Sequence, residues 1–146
     1  MSKPKFYWMA ENVDLPDLDY HAIENWIVTV ARRFDKRCEN IGYCFCDDTK
    51  ILEVNRQFLQ HDYFTDIITF DYSCGATISG DMYISLDTVR SNAEALKQSY
   101  PNELMRVIIH GILHLCGIND KLDGEREIME RHENESLMLL NNSIES

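Results

Sequence analysis

Two histidines four residues apart, His110 and His114, are the residues of this chain best suited to chemistry. Residues at this spacing lie on the same face of a helix, one turn from each other, so both imidazoles can reach one metal ion. Gly117 can adopt the left-handed conformation that ends a helix, which would let the chain turn back and bring Asp120 towards the same ion. Three protein ligands with one open position are typical of a catalytic metal site. We therefore predict that His110, His114 and Asp120 hold one divalent ion, with Zn²⁺ expected and other transition metals possible.

A bare histidine pair has a simpler explanation, because histidines on an apolar helix can be core residues that hydrogen-bond backbone carbonyls. The longer pattern matches the ligand spacing of metzincin proteases, with aspartate as the last ligand. Those enzymes need glutamate directly after the first histidine as the general base, and here that position is Gly111. The pattern thus predicts a metal hydrolase site without the usual peptidase base. Asp123 and His132 remain possible replacement ligands if Asp120 points away.

Length and composition predict one soluble, cytoplasmic domain spanning residues 1–146. The chain has a hydrophobic fraction of 45%, which is ordinary for a globular protein. Its five cysteines are odd in number and form no Cys-x-x-Cys pair, so we expect reduced, buried thiols. No apolar run is long enough for a signal core or a membrane span.

The net charge of −11, from 25 acidic and 14 basic residues, argues against nucleic-acid binding driven by overall charge. A local basic surface remains possible, and the best candidate for an RNA or ribosomal contact is the cluster Arg32, Arg33, Lys36 and Arg37. Cations at the end of a helix are also favoured by the helix dipole, which explains the cluster without any ligand.

Hydrophobic periodicity predicts an α+β fold, a small mixed β-sheet covered by helices. The expected strands cover residues 6–8, 41–46, 67–70 and 77–85, and the expected helices cover about 23–34, 51–58, 85–97, 101–115 and 124–140.

The helix that carries both histidines is apolar almost all round, so we expect it to be the buried central helix. Polar residues of this helix recur every four positions on one side, at Arg106, His110 and His114. That side should face a polar cleft between the helix and the sheet. Arg106 would contact a phosphate there or pair with a neighbouring acid such as Glu103.

Three ordered blocks of the sequence resemble the YbeY family of bacterial metal-dependent endoribonucleases, which mature and check ribosomal RNA. Residues 110–120, His-Gly-Ile-Leu-His-Leu-Cys-Gly-Ile-Asn-Asp, are similar to the family signature His-Gly-x-Leu-His-Leu-x-Gly-Tyr-Asp-His. Residues 65–70, Thr-Asp-Ile-Ile-Thr-Phe, resemble its Thr-Asp-Val-Leu-Ser-Phe strand, and residues 80–85 resemble its Gly-Asp-Ile-x-Ile-Ser strand. In this family glycine after the first histidine is the usual residue.

The chain departs from the family pattern both within the histidine signature and upstream of it. Asp120 stands where the third ligand is usually histidine, and Asn119 stands where the preceding residue is aspartate. A Tyr-Arg pair of the family, whose arginine is thought to act at the cleft, aligns with Phe58-Leu59. Arg56 could substitute for that arginine or could be an ordinary exposed helix residue.

The resemblance implies a metal-dependent, single-strand-specific endoribonuclease that acts in ribosomal RNA processing, including 3′-end maturation of the small-subunit RNA, and in ribosome quality control. Its expected partners are RNA and the ribosome or ribosomal proteins, without DNA or membrane. The nucleophile would be a metal-activated water, whose pKa falls from near 16 to about 7, or an RNA 2′-OH. Asp66 and Asp81 are general-base candidates that could instead be structural.

Three other functions fit parts of the pattern. A small zinc metalloprotease fits the ligand spacing, and a non-haem iron oxygenase fits the two-histidine, one-carboxylate composition. A non-catalytic, ribosome-associated metal-binding module fits the acidic charge and Leu59.

Overall fold

The computed structural model describes residues 3–59 and 65–145 of the chain. Its strands are β1 (Lys5–Ala10), β2 (Arg37–Cys46), β3 (Ile67–Asp71) and β4 (Thr77–Ser85). Its helices are α1 (Tyr20–Arg32), α2 (Asp48–Val54), α3 (Leu86–Ala95), α4 (Tyr100–Leu115) and α5 (Glu125–Glu145), with a turn of π-helix over Asn55–Leu59 after α2. This order confirms the predicted α+β class.

The four strands form one mixed sheet in the order β1-β2-β4-β3. β2 runs parallel to both β1 and β4, while β3 pairs antiparallel with β4. The mixed sheet predicted from the sequence is therefore confirmed.

The histidine-bearing helix α4 packs closely against the sheet because two glycines lie between them. A Cβ atom on Gly111 would lie 2.9 Å from Met82 Cγ, and one on Gly80 would lie 2.9 Å from Leu115 Cδ2. The apolar side of α4 joins the main core. Its buried apolar residues are Leu104, Val107, Ile108, Ile109, Ile112, Leu113 and Leu115. The prediction of a buried central helix is confirmed.

Specific hydrogen bonds fix the helices that flank the cleft. The Ser99 side chain accepts from Asn102 N at 3.1 Å and caps the start of α4. Tyr43 Oη in β2 donates to Ile108 O at 2.7 Å, and Trp26 Nε1 in α1 donates to Ser136 O in α5 at 2.7 Å. Buried polar groups need hydrogen-bond partners, so neither bond can be lost without cost. The Tyr43 bond fixes α4 against the sheet, and the Trp26 bond fixes α5 against α1.

The opposite face of the sheet carries a smaller apolar cluster beneath α2, made of Cys46, Ile51, Val54 and Ile68. All five cysteines are free thiols. Four of them are buried as expected, whereas Cys74 is exposed because it lies in the turn between β3 and β4.

Several element boundaries differ from the predictions, and those of β2 and the second helix are two of them. β2 begins at Arg37 rather than at residue 41, because Arg37 and Cys38 pair with Thr77 and Ile78 before a register shift. The residues at this shift are exposed and polar, so hydrophobic periodicity does not indicate that the strand begins before them. The second helix ends at Val54, and the residues expected to continue it form the π-helical turn.

In the described ranges, no helix combines the length and apolar character that crossing a membrane requires.

Candidate metal centre

The end of α4 presents both histidines and then reverses the chain. The two imidazole ring centroids lie 4.6 Å apart. Gly117 has a φ of 99°, and the amides of Gly117 and Ile118 donate to His114 O and Leu113 O at 3.0 Å each. This left-handed ending closes the helix as the sequence predicted, and it returns Asp120 to the histidine face.

The Asp120 carboxylate lies between the two rings. Its Oδ2 is 3.3 Å from His110 Nε2, and its Oδ1 is 3.4 Å from His114 Nε2. One ligand atom from each of the three residues lies within 4.8 Å of the others. Two ligands of a tetrahedral zinc ion, each about 2.05 Å from the metal, are about 3.3 Å apart. The spacing and the nitrogen and oxygen donors therefore fit a zinc-like divalent ion.

The alternative ligands considered from the sequence lie elsewhere. Asp123 is exposed in the turn before α5. His132 packs edge-on against Phe34 with ring centroids 5.2 Å apart, and its Nδ1 is 3.8 Å from Glu135. Among the residues that the structure describes, the only group of three placed to hold a metal is His110, His114 and Asp120.

A buried carboxylate on α5, Glu133, contacts the other nitrogen of His110. Its Oε2 lies 2.6 Å from His110 Nδ1, and its side chain is shielded from solvent. Sequence reasoning missed this residue because it lies 23 positions away. One signal was available: Glu133 interrupts the apolar stripe of α5 formed by Met129, Leu137 and Leu140.

Arg106 lines the cleft, but its guanidinium is engaged in a network of ion pairs and hydrogen bonds. Its Nη1 donates to Glu133 Oε1 at 3.0 Å and its Nη2 to Asn134 Oδ1 at 2.8 Å. Its Nε lies 3.8 Å from Glu103 Oε1, a buried atom without a hydrogen bond. Of the two expected roles of Arg106, the structure supports pairing with acids.

The two histidines have oppositely shifted pKa values. Burial opposes charge on His110, but the hydrogen bond and charge of Glu133, with the charges of Asp120 and Asp66, outweigh it and raise the pKa of His110. Burial and the neighbouring charge of His110 lower the pKa of His114. His114 is therefore the readier of the two to offer a neutral nitrogen.

A cavity of about 640 Å³ opens beside His110 and Asp120, and it lies between α3, α4 and α5 rather than between α4 and the sheet as predicted. His110, Asp120 and Asp66 line it, and burial raises the pKa of the Asp66 carboxyl. Asp66 also accepts a hydrogen bond from Asn92 Nδ2 at 3.4 Å. Asp81 is exposed on the other face of the sheet, where its Oδ1 would lie 2.5 Å from a Cβ on Gly42. Asp66 thus remains a general-base candidate, and Asp81 does not.

Arg126, in the first turn of α5, also lines this cavity. It is exposed, and no hydrogen bond or ion pair joins it to the part of the chain that the structure describes. Arg56 lies away from the cavity, in a separate hollow beside α2. Two arginines therefore line the cavity, Arg106, which the sequence analysis named, and Arg126, which it did not.

The sequence profile described as Endoribonuclease YbeY matches residues 10–141. The chain belongs to the YbeY family. Endoribonuclease YbeY of Phocaeicola vulgatus is 62% identical over 91% of this chain and 96% of its own length. The proteins of the same name from Parabacteroides distasonis and Porphyromonas gingivalis are 60% and 52% identical, over 91% and 100% of this chain and 94% and 95% of their own lengths.

The YbeY fold is also similar to a solved structure. The solution structure of a Thermotoga maritima protein matches with a TM-score of 0.62 and 21% identity, covering 95% of this chain and 93% of that one. At this identity the likeness supports the architecture alone.

Leu59 stands where the family resemblance led us to expect an arginine in this YbeY chain. Leu59 ends the π-helical turn with 41% of its surface exposed, and it does not line the cavity beside the histidines. A hydrophobic side chain there offers no charge to a phosphate.

Proposed function

We propose that this protein is a metal-dependent, single-strand-specific endoribonuclease that acts in ribosomal RNA processing and ribosome quality control. Within that role we include 3′-end maturation of the small-subunit RNA. RNA, the ribosome and ribosomal proteins are the proposed partners, and the cytoplasm is the proposed location. Residues 1–146 are proposed to form one catalytic domain.

The observation that carries this proposal is the arrangement of His110, His114 and Asp120 at ligand distances beside an open cavity. Relatives that share more than half of their residues with this chain are named endoribonucleases. A ligand set of two imidazoles and one carboxylate leaves a coordination position for water or substrate.

A divalent ion held there, with Zn²⁺ proposed, would supply positive charge at the scissile phosphate and a water of lowered pKa. The protein residues must then orient the RNA and move protons. Asp66 is the proposed proton acceptor, because it lines the same cavity and burial raises the pKa of its carboxyl.

Arg126 is the proposed phosphate contact. The cavity is lined by five acidic residues and repels phosphates, so a cation is needed to hold an RNA backbone. The acidic residues are Asp66, Glu103, Asp120, Glu130 and Glu133. Of the two arginines in the lining, Arg106 is engaged by buried acids and Arg126 is exposed.

A cleavage assay tests the function directly. The zinc-loaded protein and a His114→Ala variant prepared in the same way are incubated with a labelled, structured fragment of small-subunit ribosomal RNA. The proposal expects cleavage that a chelator stops and that the variant lacks. Equal cleavage by both proteins would point to a contaminating nuclease and would contradict the assignment.

A non-catalytic, ribosome-associated metal-binding module is the second candidate. Leu59 in place of the family arginine and the net charge of −11 favour it. This function predicts binding to ribosomes without turnover, so a wild-type protein that sediments with ribosomes yet cleaves no RNA would support it.

A metalloprotease is disfavoured by packing as well as by sequence. A side chain at position 111 would point at Met82 and Ile67 in the core rather than into the cleft. A glutamate there would not be able to act as the general base.

A further inference from the structure

His110 is held from two opposite sides, and only one of them is the proposed metal site. Its Nε2 faces Asp120 at 3.3 Å, while its Nδ1 lies 2.6 Å from Glu133 Oε2. A carboxylate is an acceptor, so the proton of a neutral imidazole must reside on Nδ1 to make this hydrogen bond. The lone pair is then left on Nε2, where a metal needs it.

Glu133 is itself fixed in position. It is 7% exposed and lies in the apolar stripe of α5, where an unpaired carboxylate would be costly. Its second oxygen accepts from Arg106 at 3.0 Å, and Arg106 is one helical turn before His110 on α4. Arg106 is in turn bonded to Asn134 at 2.8 Å. The arginine thus ties the carboxylate to the helix that carries the histidine.

The two histidines are not equivalent in this respect. His114 Nε2 faces Asp120, but within residues 3–59 and 65–145 no hydrogen bond holds its other nitrogen. Among the described residues, His110 is therefore the one of the two histidines that a hydrogen bond from outside the proposed ligand set orients.

We propose that Glu133, held by Arg106, is a positioning residue that sets the tautomer and ring orientation of His110 for metal binding. The inference rests on the metal site of the proposed function and adds a residue from outside the ligand set. Outer-shell carboxylates of this kind change metal affinity by roughly 10- to 100-fold when they are replaced.

Glu133→Gln is the sharpest variant because it conserves shape. If its amide oxygen faces Arg106, its NH₂ group faces His110 Nδ1 and forces the proton onto Nε2. If the amide oxygen faces His110, the NH₂ group opposes the guanidinium. We expect about 10- to 100-fold weaker zinc binding in a competition titration against a chromogenic chelator.

Glu135→Gln is the matched control. Glu135 lies on the same helix, and its carboxylate contacts Arg33 at 3.6 Å and His132 at 3.8 Å rather than the site. Zinc affinity within twofold of wild type is expected for this control. Equal zinc affinity of Glu133→Gln and wild type would overturn the proposal.

A second measurement needs no variant and no RNA. Long-range ¹⁵N–¹H correlation spectra of the metal-free protein, taken at a pH where His110 is neutral, distinguish the two imidazole tautomers. The proposal expects the Nδ1–H form of His110, and a predominant Nε2–H form would contradict it. Because neither measurement involves RNA, a failure of the cleavage assay would leave both results interpretable.

Discussion

At the scale of single residues, the proposed metal site is distinguished by a carboxylate in the place of the third ligand. Asp120 places one oxygen towards each histidine, at 3.3 and 3.4 Å. A carboxylate is a harder ligand than imidazole and adds a negative charge. The site should therefore accept manganese or iron more readily than a three-histidine site, while still binding zinc.

The first prediction concerns Asp120→Ala. Removing the Asp120 carboxylate leaves two histidines to hold the ion. Because a complete ligand set binds zinc with a large free energy at pH 7, we expect zinc affinity to fall by at least about 100-fold. Isothermal titration with zinc measures the change. Asp123→Ala is the control, since Asp123 is an exposed acid of the same loop between α4 and α5. Undiminished metal content in Asp120→Ala would remove Asp120 from the ligand set.

At the scale of secondary-structure elements, the contact between α4 and the sheet explains why glycine follows the first histidine. A Cβ at position 111 would lie 2.9 Å from Met82 Cγ and 3.1 Å from Ile67 Cδ1. Glycine here costs helix propensity, yet it lets α4 approach β4 closely enough to bury its apolar side. The residue that a peptidase would use as a base is thus a packing residue in this fold.

The second prediction is that Gly111→Ala destabilises the protein. Overpacking costs about 1–3 kcal/mol, while alanine recovers about 1 kcal/mol of helix propensity. We expect a net loss of about 1 kcal/mol in the free energy of unfolding, measured by urea denaturation. In a Met82→Ala background the same change should be neutral or stabilising, because the nearest contact is gone. If Gly111→Ala alone raised the free energy of unfolding, this account of the packing would be contradicted.

The sequence predicted the elements whose signals are local. The spacing of His110 and His114, the left-handed Gly117 and the apolar surround of α4 were enough to place both histidines on a buried helix. The roles of Glu133 and Arg126 were not predictable, because they depend on how α5 packs across α4. Likewise, the start of β2 at Arg37 depends on pairing with Thr77 forty residues later.

The third prediction concerns the first turn of α5. Arg126→Ala should weaken binding of single-stranded RNA by the metal-loaded protein about 3- to 10-fold, the effect of losing one charge-assisted contact of roughly 1 kcal/mol. Fluorescence anisotropy with a labelled oligonucleotide measures it. Arg131→Ala is the matched control, an exposed arginine of the same helix outside the cavity. Similar losses in both variants would show a general charge effect and no specific contact.

At the scale of the whole molecule, buried thiols link stability to alkaline pH. Burial raises the pKa of Cys38 to about 11 and those of Cys46 and Cys116 to about 12 from an ordinary value of 9.0. These thiols lie in both clusters of the protein interior, on either side of the sheet. Ionisation of these thiols therefore affects the packing on both sides of the sheet rather than one surface.

The fourth prediction is that the free energy of unfolding falls as pH rises above about 9. Between pH 9 and 11 the unfolded thiols lose protons while the folded ones keep them, so the unfolded state binds fewer protons and the slope is negative. Chemical denaturation at pH 8, 9, 10 and 10.5 measures it. Cys38→Ala should flatten the slope by removing one such thiol, even though it costs some stability at neutral pH. Cys74→Ala, which changes an exposed thiol, should leave the slope as it is in the wild type. A slope equally altered by both variants would mean that burial of Cys38 is not the origin of the effect.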